Sequence, residues 1–251
     1  MRSRTAFALA LVASLCRPET ASAQGATYAV TGKDSFAIGA GDIRSEISYS
    51  GTQTLVMTHR GKSTRFHAHV SYMRTDGDAS AHASADYVAD VAPSGEMVAS
   101  ADRDPDYLTV LNQPFAAQLD RATLADLRRL KGTLPFDFPS PFTVSSLHGY
   151  LARLGSAPVG GRRSLGVRFE AAGPMQGALP DRPGLSLDGT ITMRGTAFYD
   201  LDSALLLSLD TTVTIAGSVS NRTGKDPVTI VYTRTIKSVA PANGASAGKA
   251  P

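Results

Sequence analysis

The sequence predicts a mainly β protein: a long antiparallel meander curled into a half-barrel or barrel, with one helix near the middle of the chain. Three observations predict it. Apolar and polar residues alternate strictly over long runs. β-branched residues are dense within those runs, and short polar turns separate consecutive runs in the C-terminal third. A β-sandwich is the alternative, because a wide sheet with one apolar face can also split into two packed layers.

The chain of 251 residues opens on an export segment. Arg2 and Arg4 supply positive charge, residues 6–16 are uncharged and apolar, and Ala21-Ser22-Ala23 offers small residues for cleavage. That order is the secretory signature, with cleavage expected after Ala23. The apolar run is too short for a membrane span, which needs about 20 residues. Cys16 follows Leu15 rather than a small residue, so lipoprotein anchoring there is not expected. The expected location is extracytoplasmic, periplasmic or secreted. Residues 24–239 then form one β-rich domain. Residues 240–251, dominated by Ala, Gly, Pro and Ser, form a disordered tail.

Composition excludes some functions. There are 25 Lys and Arg against 22 Asp and Glu. Arg2, Arg4 and Arg17 against Glu19 lie in the export segment, so the remainder is close to neutral. No basic stripe is interleaved with aromatics, and nucleic acid is not an expected partner. Cys16 is the only cysteine, which leaves the exported part without disulfide or thiolate chemistry.

The elements follow in chain order. Gly51 and Gly61 bound a strand over 52–60. Phe66, Ala68, Val70 and Tyr72 alternate with Arg65, His67, His69 and Ser71, which makes a strand with one buried face. Residues 81–91 repeat the pattern, and Pro93-Ser94-Gly95 is a turn. The helix spans about 120–131. Asp120 is its N-cap, Leu119 and Leu124 form a hydrophobic staple, and Leu124, Leu127 and Leu130 make its apolar stripe. Arg128, Arg129 and Lys131 suit its C-terminal end, and Gly132 stops it. Residues 134–142 (LPFDFPSPF) read as neither helix nor regular strand. Their apolar members Leu134, Phe136, Phe138 and Phe142 are the candidates for a cavity mouth or lid. Strands follow over 165–171, 185–199, 205–215 and 228–236, with turns at 200–203 and 221–226.

One helix cannot cover so wide an apolar sheet face, and a curled sheet would leave an apolar cavity. At fold level the chain resembles the periplasmic lipoprotein-carrier and lipoprotein-localisation half-barrels of bacteria. In those proteins a long curved antiparallel sheet wraps helices and an apolar ligand cavity. The resemblance rests on the export segment, the long one-sided strands and the mid-chain helix. It differs in having less helical covering, and no individual residue is carried over. It implies a soluble extracytoplasmic, non-catalytic binder of a lipid or acyl chain. The alternatives are a structural or protein-interaction domain of the cell envelope and, third, a hydrolase with a dispersed site. No transmembrane helix is expected in the mature chain.

Two clusters have metal-ligand spacing. His67 and His69 share a strand face, and His82 or Asp86 could complete a zinc set. A solvated outer face is the simpler reading, since Arg65 and Ser71 lie on it. Asp102, Asp104 and Asp106 resemble the start of a calcium loop. Tyr107 stands where an EF-hand needs Gly and Gln113 where it needs Glu, so a solvated turn is preferred. No H-E-x-x-H or Walker A pattern occurs, and neither a catalytic residue nor a cofactor is expected.

Overall fold

The architecture is that of a computed structural model, which describes residues 23–39, 43–60, 63–91, 97–102, 119–139, 146–178, 184–221 and 223–239. Their chain order is β1 (Ala23–Ile38), β2 (Ile43–Arg60), β3 (Ser63–Asp76), β4 (Ala79–Val91) and β5 (Met97–Asp102). Helix α1 (Arg121–Arg129) follows. Then come β6 (Thr133–Pro139), β7 (Ser146–Val159), β8 (Arg162–Ala178), β9 (Ser186–Asp200), β10 (Leu206–Ser220) and β11 (Lys225–Ser238). The export segment up to residue 22, Asp104, Asp106, Phe142 and the tail from residue 240 lie outside the described residues.

All strands join one 11-stranded antiparallel sheet in the order β5-β4-β3-β2-β1-β11-β10-β9-β8-β7-β6. Every strand pairs with its neighbour in sequence except at one place. Between β5 and β6 the chain passes through the helix, and those two strands form the edges. The first and last strands meet instead at the centre, with Val30 opposite Ile236. The protein is therefore a single open meander. Neither the barrel nor the half-barrel curl of the expected fold is made: the sheet is open and not strongly curled, and the connection holding the helix stands in place of the hairpin that would pair β5 with β6. A single sheet also sets aside the sandwich.

The period-2 alternation carries through to burial. Along β3, Phe66, Ala68, Val70 and Tyr72 are buried, while His67 and His69 are exposed. Along β9, Leu187, Ile191, Met193, Ala197 and Tyr199 are buried. These side chains join one apolar cluster reaching from Tyr87 on β4 to Phe138 on β6.

Three sequence-based boundaries change. Gly51 does not begin a strand but lies inside β2, where a Cβ would sit 2.7 Å from Tyr72 Cα. Only glycine allows that approach of β2 to β3. In β10 the register shifts between Leu206 and Ser208, so Leu206 and Leu207 are both buried and Leu205 falls in the turn. Finally, 133–139 is a strand. Its prolines argued against one, but Pro135 and Pro139 sit on the sheet's outermost strand, where a missing N–H is tolerated.

The helix forms where its cap lies. Asp120 Oδ1 accepts a hydrogen bond from the Thr123 N–H at 2.7 Å, and Leu124 and Leu127 are buried. It ends at Arg129, earlier than expected. Leu130 turns to an extended conformation and is exposed, because only three residues lead from the helix into β6. Arg153 on β7 donates to the Arg128 carbonyl at 2.9 Å and caps the last turn.

Candidate ligand face

The two faces of the sheet differ in chemistry, and the inner one is the candidate site. Leu134, Phe136 and Phe138 project to it from β6. Phe138 is fully buried, 5.5 Å from the Phe169 ring, and Phe136 packs edge-on to Phe138 at 4.9 Å. Leu134 and Phe136 are half-buried against the same cluster. The expected loop of four aromatic and aliphatic candidates is thus, for three of them, a regular edge strand whose strict alternation the prolines disguised.

A cleft of about 200 Å³ opens where α1 meets the end of β9. Leu124, Ala125, Leu165, Tyr199 and Leu201 line it, with Arg121, Arg128 and Asp202 beside them. Asp200 holds the turn that forms its floor. Its Oδ1 accepts from the backbone N–H groups of Asp202 at 2.8 Å and Ser203 at 3.0 Å. Burial pushes the Asp200 carboxyl up, but those two N–H groups and Arg162 outweigh it and hold the carboxyl below its ordinary range.

Charge also lies inside the apolar face. Arg234 on β11 and Asp34 on β1 form an ion pair in which both side chains are almost wholly buried. Arg234 also donates to the carbonyls of Lys33 and Thr233, and its guanidinium stands 5.1 Å from the Tyr49 ring centroid. The pair reaches across β1 because Gly32 lies between, opposite Arg234. A Cβ there would come within 2.7 Å of the Arg234 Cζ. Burial pulls the Arg234 guanidinium down and Asp34 opposes it. Burial likewise pushes the phenols of Tyr28, Tyr199 and Tyr232 far up. Sequence reading missed this cluster. Its one signal was an arginine in the apolar phase of an otherwise regular final strand.

A second polar group has no such partners. Tyr28 and Gln53 face each other across β1 and β2, and both are 0% exposed. The Tyr28 hydroxyl and both amide atoms of Gln53 are without hydrogen-bond partners.

The outer face is polar. A shallow groove of about 430 Å³ crosses β8 to β11, lined by Arg168, Glu170, Arg194, Asp210, Thr212 and Thr235 among others. Farther along, His69 Nδ1 lies 3.1 Å and His67 Nε2 3.7 Å from Asp86 Oδ1. The alternation places these residues together, but two imidazoles on one exposed carboxylate oxygen are an ordinary surface pairing. Among the described residues no three His, Cys, Asp or Glu side chains converge as a metal set. Ser71 Oγ and His82 Nε2 approach to 2.9 Å on the same face. Asp86 pairs with the other two histidines rather than with His82, so no acid–imidazole–hydroxyl chain is formed. Asp102 ends β5.

No protein-family model matches the chain, and no curated protein matches it significantly.

Proposed function

We propose that the protein is a non-catalytic extracytoplasmic binder of an apolar ligand, a lipid or acyl chain, held on the apolar face of the open sheet. One observation carries the reading. The apolar side chains of ten strands share one face, while the only described helix runs for nine residues and packs on β7 at one side. Burial of apolar surface is then the driving force, at about 25 cal/mol per Å². The cleft beside α1, with half-buried Leu134 and Phe136 on the edge strand, is the proposed mouth.

Gly32 and Gly51, where close approach excludes a Cβ, lie on adjacent central strands. The export segment expected from the sequence supports the reading, with a mature chain beginning at Gln24.

Native mass spectrometry of the protein recovered from a bacterial periplasm, with lipid extraction of the same sample, tests the reading. A stoichiometric adduct released as lipid is the expected result. A clean unliganded mass, with no uptake of an apolar probe, would overturn it. The β5 edge would then favour an interaction domain, since an edge strand without proline is a template for a partner strand.

A further inference from the structure

We propose that Arg121 and Arg128 form the head-group seat of the cleft beside α1, and that the ligand is a single-chain carboxylate amphiphile, such as a fatty-acid anion. The inference rests on the apolar-ligand reading and specifies the chemistry of its mouth.

One face of the helix carries it. Arg121, Leu124, Ala125 and Arg128 all line the cleft, at positions i, i+3, i+4 and i+7. That spacing puts them on a single stripe of α1. The two arginines stand about 10 Å apart along the axis, with leucine and alanine between them. Across the cleft lie Leu165 and Tyr199, both buried and both members of the apolar cluster of the sheet. The cleft therefore joins a cationic rim to a floor that is continuous with the apolar face.

The charges at the rim do not cancel. Asp200 and Asp202 also line the cleft, but each has an arginine of its own. Asp200 pairs with Arg162 at 3.4 Å, and Asp202 with Arg163 at 3.2 Å. Among the described residues Arg121 and Arg128 have no carboxylate partner, and both are exposed. The acids of the helix itself are placed otherwise: Asp120 accepts from the Thr123 N–H, and Asp126 lies off the cleft-lining stripe. Four arginines thus meet two aspartates, which leaves an excess of positive charge beside an apolar floor. Such a cleft attracts anions. An arginine fork takes a carboxylate bidentately, and its aliphatic stem packs along an apolar chain. Size restricts the ligand to one chain. The cleft of about 200 Å³ is smaller than the pockets of about 300–1,000 Å³ that hold drug-sized ligands.

The test is displacement of N-phenyl-1-naphthylamine, a neutral apolar fluorophore, by sodium decanoate and by 1-decanol at pH 8, where the carboxylate is ionised. Wild type is compared with Arg121→Gln, Arg128→Gln and the double variant. Arg129→Gln, on the same helix but outside the cleft lining, controls for net charge. All variants are expected to bind the fluorophore within about twofold of wild type, because each altered side chain is exposed. Each cleft variant should raise the decanoate midpoint roughly two- to fivefold, as loss of an exposed ion pair does. The double variant should raise it by about the product of the two. The decanol midpoint should stay unchanged throughout, and Arg129→Gln should leave both midpoints as in wild type. An unchanged decanoate midpoint in the double variant, with the fluorophore still bound, would overturn the seat while sparing the apolar-ligand reading. An equal loss in Arg129→Gln would trace the preference to overall charge and overturn the seat too. If wild type binds neither the fluorophore nor either decyl compound, both readings fall.

Discussion

Asp34 and Arg234 show what a single buried pair demands. Neither ion could enter this apolar face alone, since an unpaired buried charge is heavily penalised. Each is tolerated through the other, through the Lys33 and Thr233 carbonyls, and through the Tyr49 ring. Replacing Asp34 by Leu should cost about 3–5 kcal/mol, because Arg234 is left uncompensated. Adding Arg234→Met should recover most of that loss. Urea denaturation of the two single variants and the double variant measures the coupling. Additive losses would show that the ions act independently. Tyr28 and Gln53 are the opposite case, polar groups placed in the same face without such compensation.

At the scale of elements, local chemistry and tertiary position compete. The helix follows its local signals at the start: Asp120 caps the Thr123 N–H as its residue type predicts. Asp120→Ala should therefore destabilise the protein by about 1 kcal/mol, read as a lower thermal midpoint. An unchanged midpoint would mean that packing of Leu124 and Leu127 alone holds the helix. At its end, tertiary position prevails, and Leu130 leaves the helical stripe to lead the chain into β6. Strand β6 is a similar case. Pro135 and Pro139 speak against a strand, yet Leu134, Phe136 and Phe138 alternate correctly, and the edge position makes the prolines harmless. Prolines at an edge also blunt pairing with another chain.

At the scale of the whole molecule, the pairing of β1 with β11 governs the fold. It joins residues about two hundred positions apart, such as Tyr28 and Ser238, while most other neighbours are local hairpins. The Val239 N–H also donates to the Thr27 carbonyl at 2.8 Å, which places the two ends of the domain side by side. A permutant that links Val239 to Gln24 by a short loop, and opens between Asp102 and Leu119, turns this long-range pairing into a hairpin. It should keep the wild-type circular dichroism spectrum and refold faster, because less loop-closure entropy opposes the central pairing. Loss of the β spectrum would mean that the connection carrying α1 is needed to hold the sheet.

The sequence by itself determined the strand-rich class, the faces of β3, β4, β9 and β11, the capped start of the helix, and the hairpin turn at Asn221. There Asn221 Oδ1 accepts from the Thr223 and Gly224 N–H groups, each at 2.8 Å. These features depend on side-chain period and on bonds between residues close in the chain, so a linear reading finds them. Only the tertiary structure decided that the sheet is open at β5 and β6, that its first and last strands meet, and that Gly32 lets Arg234 reach Asp34. It also set Tyr28 against Gln53. Each of these turns on which strands lie side by side, and alternation assigns a residue to a face without naming its neighbour across the sheet.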